Sequence, residues 1–161
     1  CLITGATSSC QALISILRGT LSNPHDFSTV GQEIKLLQDY ISLQRVSFSQ
    51  SLNVEFHVDD TVRACKLCKL TLQPIVENAF KHGVNSRKHS FVRISLTWQG
   101  NDLVFTAENS NDPKRDADRS GSGIGVENLR RRLELLYPHR YRYEQELRGE
   151  TDFVRIILKE L

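Results

Sequence analysis

The sequence has no long apolar run and no strong excess of charge of either sign. No stretch approaches the roughly 20 consecutive apolar residues of a membrane-spanning helix, so no transmembrane segment is predicted. The formal net charge of the 161 residues is +2, which gives no reason to expect a nucleic-acid partner. We expect no signal peptide, and because the chain begins at Cys1 we expect it to be a piece of a longer protein.

The cysteines lack the surroundings that a zinc or redox site would need. Cys65 and Cys68 form a CxxC pair, but no second CxxC and no HxxxH pattern supplies further zinc ligands. A redox pair is expected near a helix start in a βαβ unit, whereas this pair precedes a leucine-rich stretch. We therefore interpret the cysteines as reduced thiols without a chemical role.

What the sequence does contain is a clear succession of helical and strand periodicities. Helical spacing predicts a hairpin of two helices, at 1–22 and about 29–49, broken at Pro24 and restarted by a capping box of Thr29 and Gln32. Strands are predicted at 52–58, 92–98, 103–107, 141–147 and 153–159, and further helices at 70–83 and from about 125.

These elements predict an α/β fold, a two-layer sandwich in which helices cover one face of a mixed sheet. The strands are joined mainly by hairpins, which argues against a doubly wound sheet. We expect two domains, a helical hairpin at residues 1–50 and a sandwich at residues 51–161. The polar stretch 110–120 is expected to be a loop.

One predicted helix carries a cluster of groups suited to a polyanion. In 72-LQPIVENAFKHG-83, Asn78, Lys81 and His82 are spaced i, i+3 and i+4 and therefore share one helix face. An amide oxygen is a hard ligand suited to Mg²⁺, and a lysine ammonium is a compact partner for phosphate. The alternative is an ordinary solvated face of a surface helix.

A glycine-rich run precedes the next predicted helix. In 121-GSGIGVENL-129, Gly121, Gly123 and Gly125 alternate with other residues directly before that helix, an arrangement that can bring backbone N–H groups to a phosphate. The run lacks the GK[ST] of a Walker loop and the third glycine of GxGxxG. A dinucleotide site is therefore disfavoured, and a plain turn is the alternative.

Together, the two motifs resemble the catalytic part of LytS-type sensor histidine kinases. The N box of that family reads much like PLVENAIKHG and is matched by 74-PIVENAFKHG-83, and its glycine box, GxGIGLxNxxxRL, is matched by 121-GSGIGVENLRRRL-133. Upstream, 17-LRGTL-21 and 33-EIKLLQDYISLQRVSFSQ-50 resemble its linker helices, so the resemblance covers nearly the whole chain. It implies the Bergerat ATP-binding fold, which the family shares with gyrase and MutL.

The resemblance implies that the N-box helix binds ATP and Mg²⁺. Asn78 would coordinate Mg²⁺, Lys81 would contact phosphate oxygens, and His82 would lie beside the nucleotide. Glu77 is a candidate for orienting or deprotonating the incoming imidazole, with a purely structural carboxylate as the alternative.

The resemblance also implies roles for residues outside the N-box helix. Gly121, Gly123 and Gly125 would let backbone N–H groups approach the phosphates. The family's middle box, DxGxG, corresponds to 108-ENSND-112, where Glu108 would replace the aspartate that reads the adenine amino group.

The implied reaction is phosphoryl transfer from ATP to a histidine outside this chain, as in two-component signal transduction. The family's accepting histidine lies in an NPHFLFN-like motif, which 23-NPHDF-27 mimics, but His25 falls between the two predicted helices, where the family has a loop. We therefore expect the acceptor upstream of Cys1. The expected partners are a response regulator and a second copy of the chain, bound through the helical region. The expected location is the cytoplasmic part of an inner-membrane sensor.

Two other functions are compared with the kinase. A degenerate ATP-binding sensor module without kinase activity would keep the same site, and a histidine in the upstream segment would distinguish the kinase from it. A gyrase-like ATPase would need a glutamate four residues before Asn78 to activate water, and Pro74 stands there, so the sequence argues against hydrolysis.

Overall fold

The computed structural model describes residues 27–47, 52–84, 89–111 and 123–161. The predicted first helix, His25, Gly121 and all but two residues of the predicted loop at 110–120 therefore lie outside the described residues.

The described elements follow the predicted order closely. They are β1 (Phe27–Thr29), α1 (Val30–Ser47), β2 (Leu52–Val58), a 3-10 helix (Asp60–Ala64), β3 (Lys66–Cys68), α2 (Gln73–Gly83), β4 (Ser90–Gln99), β5 (Asp102–Ser110), α3 (Gly123–Leu136), β6 (Tyr141–Arg148) and β7 (Thr151–Leu158). Five strands form one sheet in the order β2-β4-β5-β7-β6. Only β2 and β4 run parallel in this sheet, so the prediction of a mixed sheet is confirmed.

Two glycines make the tight hairpins of this sheet. Gly100 lies between β4 and β5, and Gly149 lies between β6 and β7; each has a φ of +62°. Glycine adopts this left-handed conformation without steric cost. The turns predicted at Gly100 and Gly149 are therefore confirmed.

Helix α1 begins at the predicted capping box. The hydroxyl of Thr29 accepts a hydrogen bond from the backbone N–H of Gln32 (3.3 Å), and the Gln32 side chain accepts one from the Thr29 N–H (3.0 Å). The buried face of α1 consists of Val30, Ile34, Leu37 and Ile41. These side chains belong to the same hydrophobic cluster as those of α2 and the sheet. A domain boundary at residue 50 stays a prediction.

One face of the sheet is apolar and the other is polar. Leu96, Phe105 and Ile156 lie on the helix-covered face and are almost completely buried. On the opposite face, Ser95 and Thr106 share a hydrogen bond of 2.6 Å, and further along it ion pairs replace apolar contacts. The predicted period-two alternation of the strands is therefore confirmed by burial, except at Val104 on the opposite face, which is only 2% exposed.

Three short elements are absent from the prediction. Strand β1 pairs with β3 antiparallel, outside the main sheet, and the 3-10 helix between β2 and β3 is capped by Asp59, whose carboxylate accepts from the Thr61 N–H (2.9 Å). Strands β1 and β3 have only three residues each, which is too few to establish an alternating pattern in the sequence.

Helix α2 approaches strand β5 very closely at its C-terminal end. A Cβ atom added at Gly83 would lie 2.6 Å from Cβ of Asn109, which is shorter than a normal carbon–carbon contact. The hydroxyl of Ser110 donates to the Gly83 carbonyl (2.6 Å) and accepts from the Phe91 N–H (3.2 Å). Because Gly83 has no side chain, the end of α2 can lie close enough to the sheet for Ser110 to link it to β4 and β5 by hydrogen bonds.

Replacing Gly83 with alanine should lower the free energy of unfolding by about 1 to 3 kcal/mol, the usual cost of overpacking. Gly125→Ala is the matched control, because a Cβ atom there meets nothing within 4 Å. Urea denaturation of both variants provides the measurement. A Gly83→Ala protein as stable as the unmodified chain would show that the helix does not approach β5 this closely.

Candidate functional site

Helix α2 presents the predicted polar cluster on its outward face. Its inward side chains include Ile75, Val76 and Ala79, which are at most 3% exposed. Lys81 is exposed, whereas Asn78 and His82 are half-buried and Nε2 of His82 is itself buried. The structure therefore brings the three predicted polar groups together on one side of one helix.

Glu77 lies at the border between α2 and α1. Its carboxylate accepts a hydrogen bond of 2.7 Å from the side-chain amide of Gln73, one helical turn earlier. Tyr40 of α1 packs edge-on against Phe80, with ring centroids 5.6 Å apart. Burial, and after it the nearby charge of Glu77, raises the pKa of Tyr40 to about 12. Helix α1 thus borders the N-box helix directly.

Helix α3 begins within the glycine run. Its first residue is Gly123, and Gly125 is exposed in its first turn, with open space where a Cβ would be. Leu129 and Leu133 anchor the helix in the core, with exposures of 3% and 1%. The N-terminal turn of α3 is therefore free of side-chain bulk at Gly125. The backbone N–H groups of such a turn have no partner within the helix.

Glu108 does not lie with the other predicted site residues. It forms an ion pair of 2.7 Å with Arg93, which also pairs with Glu55 at 2.9 Å. These side chains occupy the polar face of the sheet, opposite the helices. Consecutive residues of a strand point to opposite faces, so a neighbour of Glu108 faces α2 instead.

That neighbour is Asn109, which the sequence analysis did not select. It is 3% exposed and packs against Gly83 at the end of α2, and its side-chain amide donates to the Ser110 carbonyl (3.0 Å). On β5, Asn109 continues the inward-facing series of Leu103, Phe105 and Ala107, but it lies two residues beyond the predicted end of this strand.

The turn between β3 and α2 is held from the side of α3. Arg132 donates hydrogen bonds to the Lys69 carbonyl and to Sγ of Cys68 (3.1 Å), with a longer one to the Leu70 carbonyl (3.4 Å). Just beyond the helix, the Tyr137 hydroxyl accepts from the Cys68 N–H (2.9 Å). We call residues 68–71 the clamped turn.

The clamped turn is also held from the side of α1. The Glu33 carboxylate, 2% exposed, accepts from the Leu70 N–H (3.0 Å) and from the Ser28 hydroxyl (3.2 Å). Burial raises the pKa of Glu33, although these hydrogen bonds and the charge of Arg132 oppose the shift. Leu70 has a φ of +59°, a conformation that costs a non-glycine residue about 1 to 3 kcal/mol and persists only where its surroundings hold it.

The two described cysteines, Cys65 and Cys68, form no disulfide bond. Cys68 is fully buried and Cys65 is half-buried, which raises the pKa of the Cys65 thiol. Among residues 27–47, 52–84, 89–111 and 123–161, no three His, Cys, Asp or Glu side chains are grouped so that they could hold a metal ion.

Within the described part of the chain, no helix is both long enough and apolar enough to cross a membrane.

Sequence comparison finds relatives among the sensor histidine kinases. The chain is 29% identical over 136 residues to the sensor histidine kinase YesM of Bacillus subtilis, covering 81% of this chain and 23% of that protein. It is 31% identical over 124 residues to BtsS of Escherichia coli (76% and 22%) and 25% identical over 139 residues to the sensor protein LytS of Staphylococcus haemolyticus (79% and 23%). The chain thus spans less than a quarter of the length of these relatives. No family model matches it.

Structural comparison confirms the predicted fold. The nucleotide-free catalytic domain of the histidine kinase ThkA superposes with a TM-score of 0.62 at 12% sequence identity, and the match covers 84% of this chain and 95% of that domain.

Proposed function

Because the chain belongs to the sensor histidine kinases, a group that includes LytS, we propose that it binds ATP with Mg²⁺ and serves as the catalytic domain for phosphorylation of a histidine. The observation that carries the proposal is the placement of Asn78, Lys81 and His82 on the outward face of α2. Helix α2 contacts α3, whose first turn is the glycine run. An amide, an ammonium and an imidazole on one helix face, together with a glycine-lined N-terminus on a helix that contacts it, would suit a polyphosphate.

Asn78 is our candidate ligand for Mg²⁺. Its amide oxygen is half-buried at the surface of α2, and the described residues offer no carboxylate cluster around it. Mg²⁺ typically keeps several waters and uses one or two protein ligands together with substrate phosphates. A single amide oxygen therefore fits this ion when a nucleotide supplies the remaining oxygens. Bound there, Mg²⁺ would neutralise charge on the phosphates.

The chain's own residues would hold the phosphates at both ends of the site. Lys81 is exposed on α2 and would supply a positive charge to phosphate oxygens. The N–H groups of the first turn of α3 would donate to them, with Gly123 and Gly125, and Gly121 before the helix, leaving room for the approach. Transfer of a γ-phosphate requires mainly this positioning and charge stabilisation.

Glu77 is placed to act on the incoming imidazole. It is exposed at the edge of α2, and the hydrogen bond from Gln73 orients its carboxylate. An oriented carboxylate can accept the proton that leaves the nucleophilic nitrogen. We propose this role for Glu77.

Asn109, and not Glu108, is our proposal for the residue that reads the adenine amino group. Glu108 is paired with Arg93 on the face of the sheet that the helices leave open. Asn109 lies beside the end of α2, on the same side of the sheet as Asn78 and His82. Its amide oxygen can accept a hydrogen bond from an exocyclic amino group.

The base assignment is tested by comparing ATP with purine riboside triphosphate, which lacks the amino group. We expect the unmodified chain to prefer ATP, and Asn109→Ala to lose most of this preference, because a lost hydrogen bond costs about 0.5 to 1.5 kcal/mol. Glu108→Ala is the matched control and should keep the preference. The ratio of two affinities is insensitive to loss of folded protein. Loss of the preference in Glu108→Ala alone would reverse the assignment.

The kinase itself is tested by incubating two chains with labelled ATP. We expect this chain to bind ATP without labelling itself, since its His25 precedes α1 instead of standing in the family's upstream motif. A chain extended upstream through an NPHFLFN-like segment should acquire acid-labile phosphate on the added histidine. Label on His25 of the short chain would contradict our placement of the acceptor. An extended chain that binds ATP but stays unlabelled would favour a degenerate sensor module.

We also propose a response regulator as the partner that receives the phosphate and a homodimer formed through the helical region at residues 1–50, in the cytoplasmic part of an inner-membrane sensor. These proposals rest on the relatives, whose names describe sensor histidine kinases and sensor proteins.

A further inference from the structure

The clamped turn lies where the two phosphate-binding helices meet. It leads directly into α2, and Arg132 of α3 holds its backbone. On α2, Asn78 lies six residues after Leu72, which corresponds to about 9 Å along the helix axis. On α3, Gly125 lies seven residues before Arg132, which corresponds to about 10 Å. Asn78 and Gly125 are therefore at similar distances, measured along their helices, from the contacts at the clamped turn.

Arg132 is suited to fix this relation in several directions. Its guanidinium meets two successive carbonyls and a thiol sulfur, and a planar fork with several donors restrains direction as well as distance. The opposite side of the turn is held by Glu33 from α1. Because Leu70 has a left-handed backbone, the turn keeps its shape only while such contacts persist.

We infer that Arg132 is a positioning residue for the phosphates of the bound nucleotide. It acts through the clamped turn, setting the N-terminal turn of α3 against the Asn78 face of α2 without touching the ligand. The base is held elsewhere, where α2 meets β5. This inference rests on the proposed function, because it assumes that a nucleotide spans the two helices.

The test compares Arg132→Met, which keeps the length of the aliphatic stem but has no donor, with Arg131→Met, its exposed neighbour on the same helix. Calorimetry measures binding of Mg·ATP and of adenosine, which has no phosphate. We expect Arg132→Met to lose about tenfold or more in Mg·ATP affinity, since small misplacements of binding groups are costly, with adenosine affinity unchanged. Arg132→Lys, with one ammonium, should recover part of the loss, and Arg131→Met should bind normally.

Other results would overturn the inference. Unchanged Mg·ATP affinity in a folded Arg132→Met protein would do so, and so would equal losses for ATP and adenosine, which indicate a general structural role. If Arg132→Met does not fold, the double variant Leu70→Gly/Arg132→Met takes its place, because glycine adopts the left-handed turn without strain; the same outcomes then apply. Failure of the unmodified chain to bind Mg·ATP would refute the proposed function, and this inference with it.

Discussion

The hydrogen bonds that Glu33 accepts from one turn, and those that Arg132 donates to it, fix how three helices stand on the sheet. Glu33 accepts from the Leu70 N–H, and Arg132 donates to the carbonyls of Lys69 and Leu70. A buried carboxylate and a guanidinium would each be costly without partners, and here the backbone of the turn supplies hydrogen bonds to both, although Nε of Arg132 is buried without one. Helix α2 begins two residues after the end of the clamped turn. The hydrogen bonds to this turn therefore set the direction in which the outward face of α2 points.

Because the helices cover only one face of the sheet, the direction of each strand residue decides whether a polar side chain can contribute to a site beside the helices. Leu103, Phe105 and Ala107 fill the inward side of β5, so the next inward position, Asn109, is the one that meets α2 at Gly83. Glu108 is directed to the open face, where Arg93 neutralises it. Two consecutive residues of one strand therefore have different surroundings. Asn109 lies beside the end of α2, and Glu108 forms an ion pair on the open face of the sheet.

Much of this arrangement could be predicted from the sequence, because the helices and long strands repeat their patterns. The capping box at Thr29 and the outward face of α2 are local features, and both were predicted from residue spacing alone. The clamped turn could not be predicted, since Glu33, Leu70 and Arg132 are far apart in the chain and β3 has only three residues. Glu108 was selected by matching a motif, and Asn109 was not considered because it lies beyond the predicted end of the strand at residue 107. The roles of Asn78, Lys81 and the glycines stay predictions.

Calorimetric titration of the chain with ATP, with and without Mg²⁺, tests the central claim most directly when it includes Asn78→Ala. Asn53→Ala is the matched control, since Asn53 is exposed on β2 and its amide donates to Glu55 (3.2 Å). The account predicts Mg²⁺-dependent binding that falls by about tenfold or more in Asn78→Ala, as is typical for loss of a group that supports a metal, and stays unchanged in Asn53→Ala. A folded Asn78→Ala protein with the same Mg·ATP affinity as the unmodified chain would contradict it.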